Sequence, residues 1–140
     1  MAIPSVGGGY QFTDGNVNER TIGTQAAPQT ATVTATLTAA QVTGGILIGT
    51  TVTTAASYTL PVAADLDAAL PNAKVDSTFS LTIINLGTGA GLITVVTNTG
   101  LTTSGNLVVA ITGSAAGVSG AGTFLFRKTG VAAYTVYRVS

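Results

Sequence analysis

Residues 30–38 read Thr30-Ala31-Thr32-Val33-Thr34-Ala35-Thr36-Leu37-Thr38, a strict two-residue alternation. The five threonines fall on one side, and Ala31, Val33, Ala35 and Leu37 on the other. Successive side chains of an extended chain point to opposite faces, and β-branched residues suit a pleated surface. The stretch therefore predicts a strand with a hydroxyl side and an apolar side. Ile46-Leu47-Ile48 and Ser57-Tyr58-Thr59-Leu60 begin two more strands. Thr78 to Asn85 sets Phe79, Leu81 and Ile83 on one face. Leu92 to Thr97 and Leu107 to Thr112 follow as strands, and Phe124 and Phe126 then alternate with Leu125 and Arg127. A tight turn at Thr129-Gly130 leads into a last strand, Ala132 to Val139. That strand carries Ala132, Tyr134, Val136 and Arg138 on one face and Ala133, Thr135, Tyr137 and Val139 on the other.

Helical period appears in one place. Val62, Leu66, Ala69 and Leu70 form a single apolar stripe between Pro61, which suits a first helical turn, and Pro71, which stops it. Residues 38–42 read as one further helical turn, closed by Gly44-Gly45. Short strands at a spacing of roughly ten residues, separated by turn signals, predict a sandwich or barrel. The expected fold class is all-β: an antiparallel β-sandwich or jelly-roll-like barrel over residues 30–140, with one short helix at residues 62–70.

Residues 1–29 differ from the rest. Gly7-Gly8-Gly9, Asp14-Gly15-Asn16 and Ala26-Ala27-Pro28 are turn signals, and the few apolar residues follow no period. The segment reads as an extended N-terminal arm that gains order from a neighbour. Ile3, Tyr10, Phe12, Val17 and Ile22 are its apolar anchors and the candidate contacts to a capsid or a second subunit. Met1 to Gly9 has neither a basic nor an apolar block, so no signal peptide is predicted.

Composition narrows the function. The chain has no histidine, no cysteine, no tryptophan and a single glutamate, Glu19. Groups that move protons, attack carbonyls or hold metals are scarce, which argues against an enzyme and against a cofactor or metal site. Five basic residues balance five acidic ones, and of the basic residues only Arg127 and Lys128 are adjacent. Phosphate neutralisation needs clustered lysine and arginine, so nucleic acid is not an expected partner. Mean hydropathy is +0.53. No apolar run approaches the roughly 18 residues of a membrane span, so the apolar surface must be buried in a core or against other protein. With only 7% charged residues, the chain is expected to form a permanent homo-oligomer.

Four constellations have plain readings. Asp14 to Glu19 begins like a calcium loop, but Glu19 stands where glycine is required and Gln25 where glutamate is required. Asp65 and Asp67 lie two apart on the expected helix, a spacing that serves helix-start electrostatics better than acid–base chemistry. Gly87-Thr88-Gly89-Ala90-Gly91 lacks the following helix and the lysine of a phosphate cradle. The threonine ladder at residues 30–38 could bind ice or sugars through ordered hydroxyls, but no fixed period repeats it.

Two stretches carry a resemblance. One runs from Tyr58-Thr59-Leu60-Pro61 through Ala63-Ala64-Asp65-Leu66 and Ala68-Ala69-Leu70-Pro71 to Phe79-Ser80-Leu81-Thr82-Ile83-Ile84-Asn85. The other is Phe124-Leu125-Phe126-Arg127-Lys128-Thr129-Gly130, closing with Tyr134-Thr135-Val136-Tyr137-Arg138. Together they resemble small structural proteins of tailed bacteriophages, above all the capsid decoration (cement) proteins of cyanophages. The resemblance spans roughly residues 30–140. It implies a β-sandwich, usually trimeric, that sits on the capsid surface of the virion, binds the major capsid protein and reinforces the head. It implies no catalytic residue. Related β-modules occur in phage fibres and spikes, so the alternative is a receptor- or glycan-binding module. The short chain and the absence of tryptophan favour decoration.

Overall fold

The computed structural model describes residues 23–50, 52–111 and 120–140. Strands dominate, and two short helices, α1 (Ala39–Thr43) and α2 (Ala63–Ala69), interrupt them. A six-stranded sheet has the order β1-β3-β5-β9-β10-β7, and a four-stranded sheet has the order β2-β4-β6-β8. The strands are β1 (Gln29–Ala31), β2 (Ala35–Thr36), β3 (Ile46–Gly49), β4 (Ala56–Thr59), β5 (Thr78–Asn85), β6 (Ile93–Val96), β7 (Leu101–Ser104), β8 (Val108–Val109), β9 (Ala121–Gly130) and β10 (Ala133–Arg138).

The fold is mainly β, but the expectation of antiparallel sheets is corrected. Among the described residues five of the eight strand pairings are parallel. The reason is topological. Through β9, odd-numbered strands enter one sheet and even-numbered strands the other. Each passage to the opposite sheet turns the chain, and the next passage turns it back. Neighbours within a sheet therefore run the same way: β1, β3 and β5 in one, β2, β4 and β6 in the other. The first six strands thus form three stacked coils.

This topology breaks the threonine ladder. Residues 32–34 cross between the sheets instead of continuing a strand, and Val33, expected on the apolar side, is 67% exposed. Ala31 and Leu37 alone of that side are buried. Thr34 Oγ1 accepts the Ser57 N–H at 3.1 Å, so one ladder hydroxyl pins two coils together.

The coils repeat in detail. Thr36 lies opposite Thr59, and Leu37 N–H donates to the Thr59 carbonyl at 2.7 Å. Leu60 N–H donates to Val96 O at 2.8 Å one coil further on. Thr36-Leu37 leads into Ala39-Ala40-Gln41-Val42, and Thr59-Leu60 leads into Ala63-Ala64-Asp65-Leu66. Val42 and Leu66 are both fully buried where α1 packs on α2. Thr38 caps α1 in a reciprocal box with Gln41, whereas α2 starts without a side-chain cap. In the third coil no helix follows; the Asn98 amide donates to Leu60 O at 3.2 Å and ends the stack.

The inward faces of both sheets meet in one hydrophobic cluster. Leu81, Ile83, Phe124, Phe126, Tyr134 and Val136 come from the larger sheet, and Tyr58, Ile93, Val95 and Val109 from the smaller. Tyr58 OH crosses the core to the Ala31 carbonyl at 2.9 Å, and a Cβ on Gly49 would press on that hydroxyl at 3.1 Å. Two details shift from the sequence expectation. The last hairpin turns at Val131-Ala132, not at Thr129-Gly130, because β9 continues through Gly130. The short strand β7, between two expected strands, was not anticipated; it pairs with β10 in parallel.

Candidate functional site

Asp67 gathers the polar groups at one end of the molecule. It sits on α2 and faces the β9–β10 hairpin. Its Oδ1 accepts from Lys128 Nζ at 2.7 Å and from Tyr134 OH at 2.7 Å; its Oδ2 accepts the Ala132 N–H at 2.8 Å. The Lys128 and Asp67 side chains are only 11% and 22% exposed. Ala132 has a φ of 47°, a region most side chains avoid, and the Asp67 hydrogen bond holds it there. The Lys128 hydrogen bond, then those from Ala132 and Tyr134, hold the Asp67 carboxyl at about 2, below the ordinary carboxylate range. Burial, reinforced by Asp67, pushes the Tyr134 hydroxyl well up.

The sequence expectation gave Asp65 and Asp67 one shared role. Asp65 does lie in the first turn of α2. Asp67 instead ties α2 to the larger sheet. One signal was legible: Lys128 continues the inward parity of Phe124 and Phe126, and a lysine on a core face needs a carboxylate. Its partner, 61 residues away, was not.

The lowered Asp67 value gives a pH prediction. The folded state binds the proton less tightly than the unfolded chain, so this stabilisation is present above about pH 4 and fades as pH falls through about 2. Asp67→Asn should lower the unfolding free energy at neutral pH by about 1–3 kcal/mol, because Lys128 loses its counter-charge and one amide oxygen cannot serve Lys128, Tyr134 and Ala132 together. Denaturant titrations should show that deficit shrinking between about pH 4 and pH 2. A deficit independent of pH would contradict the assignment.

Beside this cluster lies a cleft of about 380 Å³ between the residues leaving α2 and the start of β5. Leu70, Pro71 and Ala73 form one wall, and Phe79 and Tyr134 the floor. Phe79 stacks on Phe126 at 4.7 Å and 11°, and meets Tyr134 edge-on at 6.2 Å. Asn72, Ser77 and Thr78 supply the polar rim. A second hollow, at the opposite end of the coils, is lined by Thr32–Thr34 and Val52–Ala56.

The Gly-rich loop has a packing role. Gly91 and Gly87 both pass so close to the Val52 carbonyl that a Cβ on either would overlap it. Buried Asn85 ties the loop down: its Nδ2 donates to Gly91 O at 2.7 Å and Val109 O at 3.2 Å, and its Oδ1 accepts the Gly87 N–H at 2.8 Å.

The candidate contact residues Ile3, Tyr10, Phe12, Val17 and Ile22, like the Asp14–Glu19 stretch, lie outside the described residues. Gln29, assigned to the arm, opens β1 and pairs with Leu47. Tyr134 and Val136 share one face as expected, and that face is buried core; Tyr137 lies on the opposite, outer face. Among the described residues no group of three metal-ligating side chains forms, and no helix is long and apolar enough to cross a membrane.

No protein-family model, curated protein or solved structure matches the chain.

The larger sheet also has a distinctive outer face. Ile46, Ile48, Ile84, Leu125 and Tyr137 alternate with buried neighbours and are half-buried among threonines. Among the described residues Arg127 is the only charged side chain on that face, and it pairs with Asp76 at 2.5 Å. The inward-parity Arg138 lies over Phe124 and donates to Val108 O at 2.9 Å, bridging the two sheets.

Proposed function

We propose that the protein is a non-enzymatic structural subunit of a virion, a capsid decoration protein that binds the major capsid protein of a tailed-phage head. The observation that carries this reading is the outer face of the larger sheet. A continuous, nearly uncharged strip of isoleucine, leucine, tyrosine and threonine suits lasting contact with other protein better than free solution. The sequence resemblance supplies the kind of partner. On this reading the two sheets act as a β-sandwich, the subunits associate as a homotrimer, and residues 1–29 grip the shell or a neighbour through Ile3, Tyr10, Phe12, Val17 and Ile22. Neither nucleic acid nor membrane is a partner. The alternative is a receptor- or glycan-binding module of a fibre or spike, and the cleft beside Asp67 favours it.

The test is co-sedimentation of the purified chain with capsids that lack it, against intact host cells. Saturable binding to capsids, weakened at least tenfold by changing Tyr10, Phe12, Val17 and Ile22 to serine, is expected; tenfold corresponds to about 1.4 kcal/mol. Light scattering should give a trimer mass at micromolar concentration. Binding to cells but not capsids would transfer the assignment to the fibre or spike module, and a stable monomer would remove the trimer.

A further inference from the structure

We propose that the cleft floored by Phe79 and Tyr134 binds a neutral pyranose ring, as one unit of a glycan. The inference stands apart from the capsid reading. At about 380 Å³ the cleft is within the range of small-ligand sites, about 300–1,000 Å³. Its aromatic floor is already fixed. Phe126 covers one face of Phe79, Tyr134 abuts it edge-on, and the half-buried Phe79 lines the cleft. The electron-rich face of an aromatic ring suits the C–H groups that one side of a pyranose presents. Such a ring enters a floor that needs no reordering, which limits the entropic cost of binding.

Charge argues for a neutral ligand. Among the described residues no ionisable side chain other than Tyr134 lines the cleft. Asp67 and Lys128, beside the Tyr134 hydroxyl, are committed to each other, and Asp67 also to Ala132 and Tyr134. A phosphate or carboxylate would lose water there without gaining a counter-charge from any lining side chain. The rim argues for hydroxyls. The Asn72 amide and the Thr78 hydroxyl make no side-chain hydrogen bond to described residues, and both can donate and accept. Sugar hydroxyls have the same dual character. An aliphatic or aromatic peptide side chain would fill the floor and leave both rim groups unused.

The test is an amide chemical-shift titration of the isotopically labelled full chain. The probes are the methyl glycosides of glucose, galactose and N-acetylglucosamine, with N-acetylphenylalaninamide and inorganic phosphate in parallel. At least one glycoside should give saturable shifts confined to residues 69–73 and 77–79 and to Tyr134. Asn72→Ala and Thr78→Val, both at exposed positions, should weaken that saturation about 2–10-fold each, as expected for one lost hydrogen bond. Val96→Ser, on the outer face of the smaller sheet, should leave it unchanged. Failure of every glycoside to saturate overturns the proposal, whether or not the phenylalanine derivative or phosphate binds. So does glycoside saturation that ignores both rim variants.

Discussion

Asn85→Ala should lower the unfolding free energy by about 3–5 kcal/mol, a large share of the roughly 5–15 kcal/mol of a typical domain. Asn85 is fully buried at the end of β5, where the chain leaves the larger sheet. Its amide donates to the Gly91 and Val109 carbonyls, and its carbonyl oxygen receives the Gly87 N–H. One side chain therefore satisfies backbone groups on the loop and on β8 of the other sheet. Alanine would leave them buried without these partners, at about 1–3 kcal/mol each. The loop cannot relax inward, because Gly87 and Gly91 already press against the Val52 carbonyl. Asn85→Asp should be as damaging at neutral pH, since a carboxylate would face two carbonyl oxygens. Its folded pKa would be raised, so that variant should recover stability as pH falls, opposite to the Asp67 trend. Equilibrium unfolding across pH reads both effects. An Asn85→Ala loss below about 1 kcal/mol, the worth of a single ordinary hydrogen bond, would show that the loop is held by something else.

How much of this was legible in the sequence depended on the range of the interaction. Parity along single strands was legible. Leu81 and Ile83, Phe124 and Phe126, and Tyr134 and Val136 are buried as the alternation required, because one side of each strand meets the core. The helix between Pro61 and Pro71 was legible from Leu66 and its prolines, but its stripe was misplaced: Ala63 is buried where Val62 was expected, and Ala69 is exposed. The break at residues 32–34 was not, because Thr-Val-Thr suits a crossing between sheets as well as it suits a strand. Parallel pairing was hidden too: the partner of Leu47 in the next coil is Ile83, and unequal loops between the coils erase any fixed period. The turn at Ala132 escaped for the same reason as the Asp67 cluster. Both depend on a carboxylate more than sixty residues upstream of the groups it binds. The cleft joins the exit of α2 to β5 and β10, so its residue types look unremarkable until the chain has folded.

Phe126→Ala should cost about 3–5 kcal/mol, the usual penalty for emptying a buried aromatic position. Phe126 is fully buried in β9, paired on one side with Phe79 of β5 and on the other with Val136 of β10. Both neighbouring strands are long and hydrogen-bonded on each side, so they cannot close readily over the lost ring. Phe126→Leu keeps most of the volume and should cost about 1.5 kcal/mol or less. The more informative consequence lies at the surface. Phe79 is held by its stack on Phe126, so removing the lower ring frees the upper one to tilt into the space beneath. Glycoside shifts at residues 77–79 should then be lost in Phe126→Ala even under conditions where the variant remains folded, although residue 126 does not line the cleft. In Phe126→Leu they should persist with weakened affinity. A Phe126→Ala protein that is destabilised by several kcal/mol yet binds glycosides like the wild type would show that Phe79 is positioned by the edge contact with Tyr134 instead. Asp67 would then be the residue that indirectly sets the floor of the cleft, through its hydrogen bond to the Tyr134 hydroxyl.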